Sequence, residues 1–325
     1  MNHLRSIALV LSLGFLASCG GKKEAQPTSD VLKGEVRIDG SSTVYPITEA
    51  IAEEFRAVQP EVKVTVGLSG TGGGFKKFTR GEIDMNNASR NIKQEEIDAA
   101  TTSKIGYLEL NIAYDGLTVV VNPENSFVND MTVEELKTMW APEAQGKITK
   151  WSQVRAGWPN EEFRLYGAGT ESGTYDYFTE AVVGKSHSSR GDYTASEDDN
   201  VLVKGISSDK NGLAFFGYAY FEENAAKLKA VGIDDGKAEN GAGPILPSVE
   251  TVKNKSYAPL SRPLYIYVNS TAVMRPEVTE FVRFYLKNAA KLSAEVGFIP
   301  MTDAEYQGEL DKFEKFILEH TPASK

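Results

Sequence analysis

From residue 34 the chain alternates short apolar runs with amphipathic stretches, and turns of small residues lie between them. Val36-Arg37-Ile38 predicts a strand and DGSST (39–43) a turn. Ile47, Ala50, Ile51, Glu54, Phe55 and Val58 then recur at helical spacing up to Pro60. The pattern returns with Val62–Leu68 as strand, SGTGGG (69–74) as turn and Phe75–Thr79 as helix. It returns again with Ile83–Met85 as strand, NNASR (86–90) as turn and a helix near Lys93–Ala100. Such alternation predicts an α/β fold, a mostly parallel sheet with helices on its faces. Further on, Phe163–Tyr166 reads as a strand, and GAGTESGTYDYF (167–178) as a turn entering a helix that carries Tyr177, Phe178 and Val182. GLAFFGYAYF (212–221), with Asp198-Asp199 and 204–208, predicts another turn, strand and helix. Residues 232–243 are polar and glycine-rich and predict a surface loop or hairpin. Glu277–Lys287 and Asp303–Glu319 predict amphipathic helices.

In parallel sheets ligands settle at the carboxyl ends of strands, where loops enter helices, and the small-residue turns fall there. A helix start exposes about four backbone N–H groups without internal partners and carries roughly half a positive charge. Glycine and serine let a ligand approach that backbone closely, so an oxyanion suits such a turn. The alternative is that Ser42, Ser69 and Ser89 are simple N-caps and the glycines only turn the chain.

Other chemistries find less support. No GxxxxGK[ST] occurs, since Thr179 stands where the first glycine ahead of Gly184-Lys185-Ser186 belongs, and no GxGxxG opens a dinucleotide unit. Gly169-Thr170-Glu171-Ser172-Gly173 lacks the spacing of a nucleophile elbow. The three histidines, His3, His187 and His320, offer no evident base for a serine triad and argue against a transition-metal site. Hard-cation binding by carboxylates stays open. The reading is of a protein without cofactor and without enzymatic activity.

Composition adds compartment and size. About 300 residues after a leader exceed what one core usually holds, so two lobes are expected. The formal net charge is −10 with pI about 5.1, which speaks against nucleic acid as partner. Arg5 followed by the apolar run Ile7–Leu16 reads as an export signal, too short to span a bilayer comfortably. Leu16-Ala17-Ser18-Cys19-Gly20 resembles the bacterial lipobox, whose cysteine is lipidated. Cys19 is the only cysteine of the 325 residues; a chance cysteine within an ordinary signal is the alternative. The chain is thus divided into a lipoprotein signal peptide at 1–19 and a polar, turn-rich tether at 20–33, before the folded part.

GSSTVYPI (40–47), SGTGGGF (69–75), GEIDMNNASR (81–90), IAYDGLTVVVN (112–122), TVEELKTMW (132–140) and ESGTYDYF (171–178) occur in that order. The series resembles the PstS family, the phosphate-binding proteins of bacterial high-affinity phosphate ABC transporters, across roughly residues 34–320. The resemblance implies a type II periplasmic-binding-protein fold, two α/β lobes joined by two crossover strands. Those crossings would be made by IAYDGLTVVV and RPLYIYVN (262–269). Lobe 1 would comprise 34–115 plus 266–325, with the carboxyl-terminal helices packed on it, and lobe 2 would comprise 116–265. Position by position, the resemblance places Ser42 and Thr43, then Ser69 with the amides of Gly70 and Thr71, then Ser172, Gly173 and Thr174, on inorganic phosphate.

Two departures from the family pattern matter. Arg90 stands where an acidic residue commonly follows the Ala-Ser pair, and Ala168 where some members have an arginine. Arg90 is therefore expected as the cationic ligand, the alternative being a surface arginine capping its own loop. An acidic acceptor for the phosphate proton would discriminate against sulfate. Glu171 is the first choice, Asp39 another, and Asp84 and Asp176 weaker ones. Tyr45, Tyr114, Phe75 and Tyr175 flank the turns and are candidates to wall the cleft. The resemblance further implies a monomer, held outside the cytoplasmic membrane by its lipid alone, in the periplasm or on the outer cell surface. On cleft closure it would deliver phosphate to an ABC permease heterodimer with its ATPase. An anion sensor or adhesin of the same fold, or a receptor for another tetrahedral oxyanion such as sulfate, stays open.

Overall fold

A computed structural model of the chain describes residues 32–320 apart from 171 and 197. The first two units form where the apolar runs place them, but the third strand runs through 85–88 rather than 83–85, so Asn86-Asn87-Ala88, expected in the turn, are strand. β1 (Gly34–Gly40) pairs in parallel with β2 (Val62–Val66) on one side and β3 (Met85–Ala88) on the other. α1 (Tyr45–Val58) buries Ile47, Ile51, Ala52 and Phe55 on one face and ends ahead of Pro60. α2 (Gly70–Phe78) and α3 (Gln94–Thr102) follow β2 and β3. The helix expected from Phe75 starts five residues earlier, at Gly70. Glycines have low helix propensity, so their run reads as a turn even where tertiary contacts hold it helical.

Two long strands organise the rest. β4 (Tyr107–Val121) is followed by β5 (Asp130–Thr132), α4 (Val133–Trp140), β6 (Arg164–Ala168), α5 (Gly173–Phe178), β7 (Thr194–Ser196), α6 (Asp199–Ser207), β8 (Gly212–Gly217) and α7 (Tyr218–Glu223). β9 (Lys229–Ala230), β10 (Gly232–Asp234) and α8 (Val249–Lys253) lead to the second long strand, β11 (Ser261–Asn269), and α9 (Pro276–Glu295) and α10 (Asp303–His320) close the described chain. α4 starts on a capping box, in which Thr132 Oγ1 accepts from Glu135 N at 3.1 Å and Glu135 Oε2 accepts from Thr132 N at 2.8 Å. α9 runs beyond the expected Lys287 because Ala289 and Leu292 continue its buried face, and its Phe281 and Phe284 rings meet Phe55 edge-on at 5.2 and 5.3 Å.

Nine of these strands form one sheet in the order β2-β1-β3-β11-β4-β8-β6-β7, with β9 added to β4, and β10 and β5 form a separate two-stranded sheet. β4 pairs with β11 through residues 107–116 and with β8 through 117–121, so a single strand serves both halves of the sheet. Each outer half is parallel, as expected, whereas the pairs made by β4 and β11 across the middle are antiparallel. This is the type II periplasmic-binding arrangement, with β4 and β11 as the two crossover strands. The turns after β1, β2, β3 and β6 all leave carboxyl ends of parallel strands.

Candidate functional site

Those turns converge. Ser41–Thr43 after β1, Gly70–Gly72 at the start of α2, Ser89 and Arg90 after β3, and Asp176 and Tyr177 of α5 line one cavity of about 700 Å³, with Arg262 of β11. The first turn curls back on itself, Tyr45 N donating to Ser41 O at 3.0 Å, and is held to β3 by Ser41 N donating to Asn87 O at 2.9 Å. It also reaches the opposite half. Ser42 Oγ donates to Asp176 Oδ2 at 3.1 Å, and Thr43 Oγ1 lies 3.4 Å from the carbonyl oxygen of Gly173. A Cβ on Gly173 would sit 2.9 Å from Thr43 N, Cα and Oγ1, so glycine is what permits this approach.

The second turn is set by a buried carboxylate. Asp39 Oδ1 accepts from Ser69 N at 2.9 Å, Ser69 Oγ at 2.8 Å and Gly40 N at 2.7 Å, while Oδ2 pairs with Lys77. Burial opposes ionisation of Asp39, but Lys77 and the Ser69 and Gly40 donors outweigh it and hold the carboxyl below its ordinary range. The third turn is tied to the second: Ser89 N donates to Thr71 Oγ1 at 3.2 Å, and the Thr71 and Ser89 hydroxyls are also 3.2 Å apart. Gly74 makes the packing behind α2 possible, because a Cβ there would fall 1.9 Å from the buried Asn86 Oδ1.

Of the candidate ligands, Ser42, Thr43, Gly70, Thr71 and Arg90 line the cavity. Ser69 does not, its hydroxyl being turned to Asp39. Ser172, Gly173 and Thr174 do not line it either: Ser172 is the N-cap of α5 and accepts from Thr174 N at 3.1 Å, and Gly173 packs against Thr43. Glu171 and Cys19 lie outside the described residues. The guanidinium of Arg90 is shared with a neighbour: Nη1 and Nη2 donate to the two Glu96 oxygens at 2.9 and 2.8 Å, and the group lies 5.5 Å from the Phe75 ring.

Among the other carboxylates, Asp84 is taken by Arg37 N at 2.8 Å and by Arg275 at 2.5 Å, and Asp39 by the second turn. Asp176 alone of the candidate acceptors named and described lines the cavity, where its Oδ1 is 3.0 Å from His187 Nε2. Tyr45, Phe75, Tyr114 and Tyr175 are all absent from the lining, the last three being buried; the aromatic wall is Tyr177, whose hydroxyl donates to Pro259 O at 2.7 Å. The 232–243 segment is the surface loop or hairpin expected, exposed at 236–239 and closed by an antiparallel bridge between Ile233 and Ile245. It begins as β10, paired with β5, and brings Asp235, Lys237 and Asn240 to the cavity.

The residue missed in the sequence is Arg262. Its Nε donates to Asp115 Oδ2 at 3.1 Å and its Nη2 to Thr43 Oγ1 at 2.8 Å, and its guanidinium carbon lies 3.5 Å from the centre of the Tyr177 ring. Burial pushes the Asp115 carboxyl up, and Arg262 opposes that shift. The available signal was a pair of lone opposite charges, Asp115 and Arg262, each in an otherwise apolar run destined for a crossover strand.

Comparison with known proteins agrees with this architecture. A model of the PBP superfamily domain matches residues 25–289. The chain is 51% identical over 280 residues to Protein SphX of Synechococcus elongatus, covering 86% of this chain and 81% of that one. It is 38% identical over 305 residues to the phosphate-binding protein PstS of Staphylococcus aureus, covering 93% and 89%. The crystal structure of a possible phosphate binding protein from Planctomyces limnophilus superposes with a TM-score of 0.84 at 48% identity, over 88% of this chain and 99% of that one. The chain belongs to the PBP superfamily and, within it, to the family of PstS. That family is one of solute receptors, not an enzyme class. No described helix is long and apolar enough to cross a membrane.

Proposed function

We propose that the cavity binds inorganic phosphate outside the cytoplasmic membrane and that the protein hands it to an ABC importer, a permease heterodimer with its ATPase. The observation that carries this reading is the convergence on one cavity of Ser42 and Thr43, Gly70 and Thr71, Arg90, Asp176 and Arg262, from both halves of the sheet. Main-chain donors at the start of α2 and after β1, with hydroxyls and a guanidinium, form the donor set a tetrahedral oxyanion requires. The α5 start, Ser172–Thr174, completes it from the far side as the cleft closes. The names of PstS from Staphylococcus aureus and of the Planctomyces limnophilus protein support phosphate as the anion.

The acidic balance of the chain does not oppose this. Exposed charges are screened over about 8 Å at physiological salt, whereas donors within a dry cleft act at contact distance. Asp176 supplies the acceptor that separates phosphate, which keeps a proton at neutral pH, from sulfate, which has none to offer. Arg90, already bound to Glu96, contributes at the rim. The moving parts are lobe 1 (34–115 plus 266–325) and lobe 2 (116–265), and a lipid on Cys19 keeps the receptor near its permease. Binding stabilises closure because the closed form alone offers both sets of donors.

Titration calorimetry of purified protein with phosphate, sulfate, arsenate and molybdate in parallel tests the reading. Saturable phosphate binding with sulfate markedly weaker is expected; heat with sulfate and none with phosphate would refute it.

A further inference from the structure

The geometry points to Arg262 as the principal cationic ligand of the anion, with Asp115 as the positioning residue that aims it. This inference rests on the reading of the cavity as an oxyanion site and names the charge that site uses. Arg262 and Asp115 are cross-strand partners on β11 and β4. They lie beside Gly116 and Leu117, where β4 leaves β11 and begins to pair with β8, so the pair sits at the junction of the two halves of the sheet.

The guanidinium is built in. Its side chain is only 12% exposed, and it lines the cavity. Asp115 fixes Nε, Thr43 of the first turn fixes Nη2, and the Tyr177 ring of α5 covers one face at 3.5 Å. Among the described residues Nη1 has no hydrogen-bond partner. A planar, largely desolvated fork with free donors is suited to two oxygens of one tetrahedral anion. It touches Thr43 and Tyr177 at once, so an anion on Arg262 is read by both halves. Arg90 differs on each count: both of its terminal nitrogens are taken by Glu96, and its side chain is 28% exposed.

The test titrates wild type, Arg262→Gln, Arg90→Gln, Asp115→Asn, Asp115→Ala and the double variant Asp115→Asn/Arg262→Gln with the four anions. Arg262→Gln is expected to weaken phosphate by about 10- to 150-fold, the worth of a hydrogen bond to a charged group, and Arg90→Gln by at most about fivefold. The double variant leaves no lone buried charge, so its melting transition stays near wild type while its affinity stays as low as that of Arg262→Gln. Asn at 115 keeps an acceptor for Nε and binds at least as tightly as wild type, whereas Ala lets the guanidinium swing and binds about tenfold more weakly. Phosphate affinity of the folded double variant within about threefold of wild type would overturn the assignment of Arg262. Equal effects of Asn and Ala would overturn positioning by Asp115. Were wild type to bind sulfate but not phosphate, the phosphate reading would fall and Arg262 would be judged on sulfate; binding of none of the four would overturn both.

Discussion

Ser42 and Asp176 are 134 residues apart in the chain and meet in one hydrogen bond of 3.1 Å across the cavity. The contact joins the turn after β1 to the helix after β6, two ends of parallel strands in opposite halves of the sheet. It also places a carboxylate in the cavity beside the Ser42 and Thr43 hydroxyls and the Arg262 guanidinium. Replacing Asp176 with Asn keeps the size and removes a pure acceptor. The expected result is phosphate binding weaker by about tenfold or more and a smaller margin over sulfate, both read by calorimetry.

Gly173 is a second cross-cavity contact with a defined tolerance. A methyl group there would meet the backbone of Thr43 at 2.9 Å, and backbone cannot swing away as a side-chain tip can. Gly173→Ala is expected to hold the halves apart and weaken phosphate binding by about 1–3 kcal/mol, with the melting temperature of the anion-free protein little changed. Calorimetry and thermal melting of the same sample check both halves of the statement.

Asp39 gives a pH dependence whose sign is fixed. Its carboxyl is held below the ordinary value of about 3.9, so the folded state favours the ionised form. The stabilisation is complete above that ordinary value and is lost as pH falls through the lower folded value. Urea unfolding of wild type and Asp39→Asn should therefore show the largest difference near neutrality and a shrinking one below about pH 4. Ser69, which hangs on Asp39 by two hydrogen bonds, would loosen with it and carry the second turn away from the cavity.

Cys19→Ser tests the proposed lipid anchor. Loss of the lipid should move the protein from the membrane fraction to the soluble one, with phosphate affinity of the purified protein unchanged. Fractionation and mass spectrometry of the amino-terminal peptide report the outcome.

Much of this arrangement was legible because the physics is local. Apolar runs ending in serine and glycine mark strand ends that enter helices, and the turns at 41–43, 70–72 and 89–90 do line the cavity. The crossings implied by the family resemblance fell on two largely apolar segments, and these lie in the long strands β4 and β11. What sequence could not reveal depends on partners distant in the chain. Arg90 looked free to bind, yet Glu96, one helical turn into the next element, occupies its fork. Arg262 looked like the first residue of a strand, and only the register against Asp115 turns it towards the cavity. The 235–240 segment is the exposed loop its composition suggests, but nothing in that composition tells that β10, paired with β5, sets it beside the cavity.

The most direct test of the central claim is a crystal structure of the protein grown with orthophosphate. Density for a tetrahedral anion is expected between the Ser42–Thr43 turn, the Gly70–Thr71 amides and the α5 start, within hydrogen-bonding distance of Arg262. Anion density elsewhere on the surface, with Arg262 still bound only to Asp115 and Thr43 and the cavity holding solvent, would contradict it.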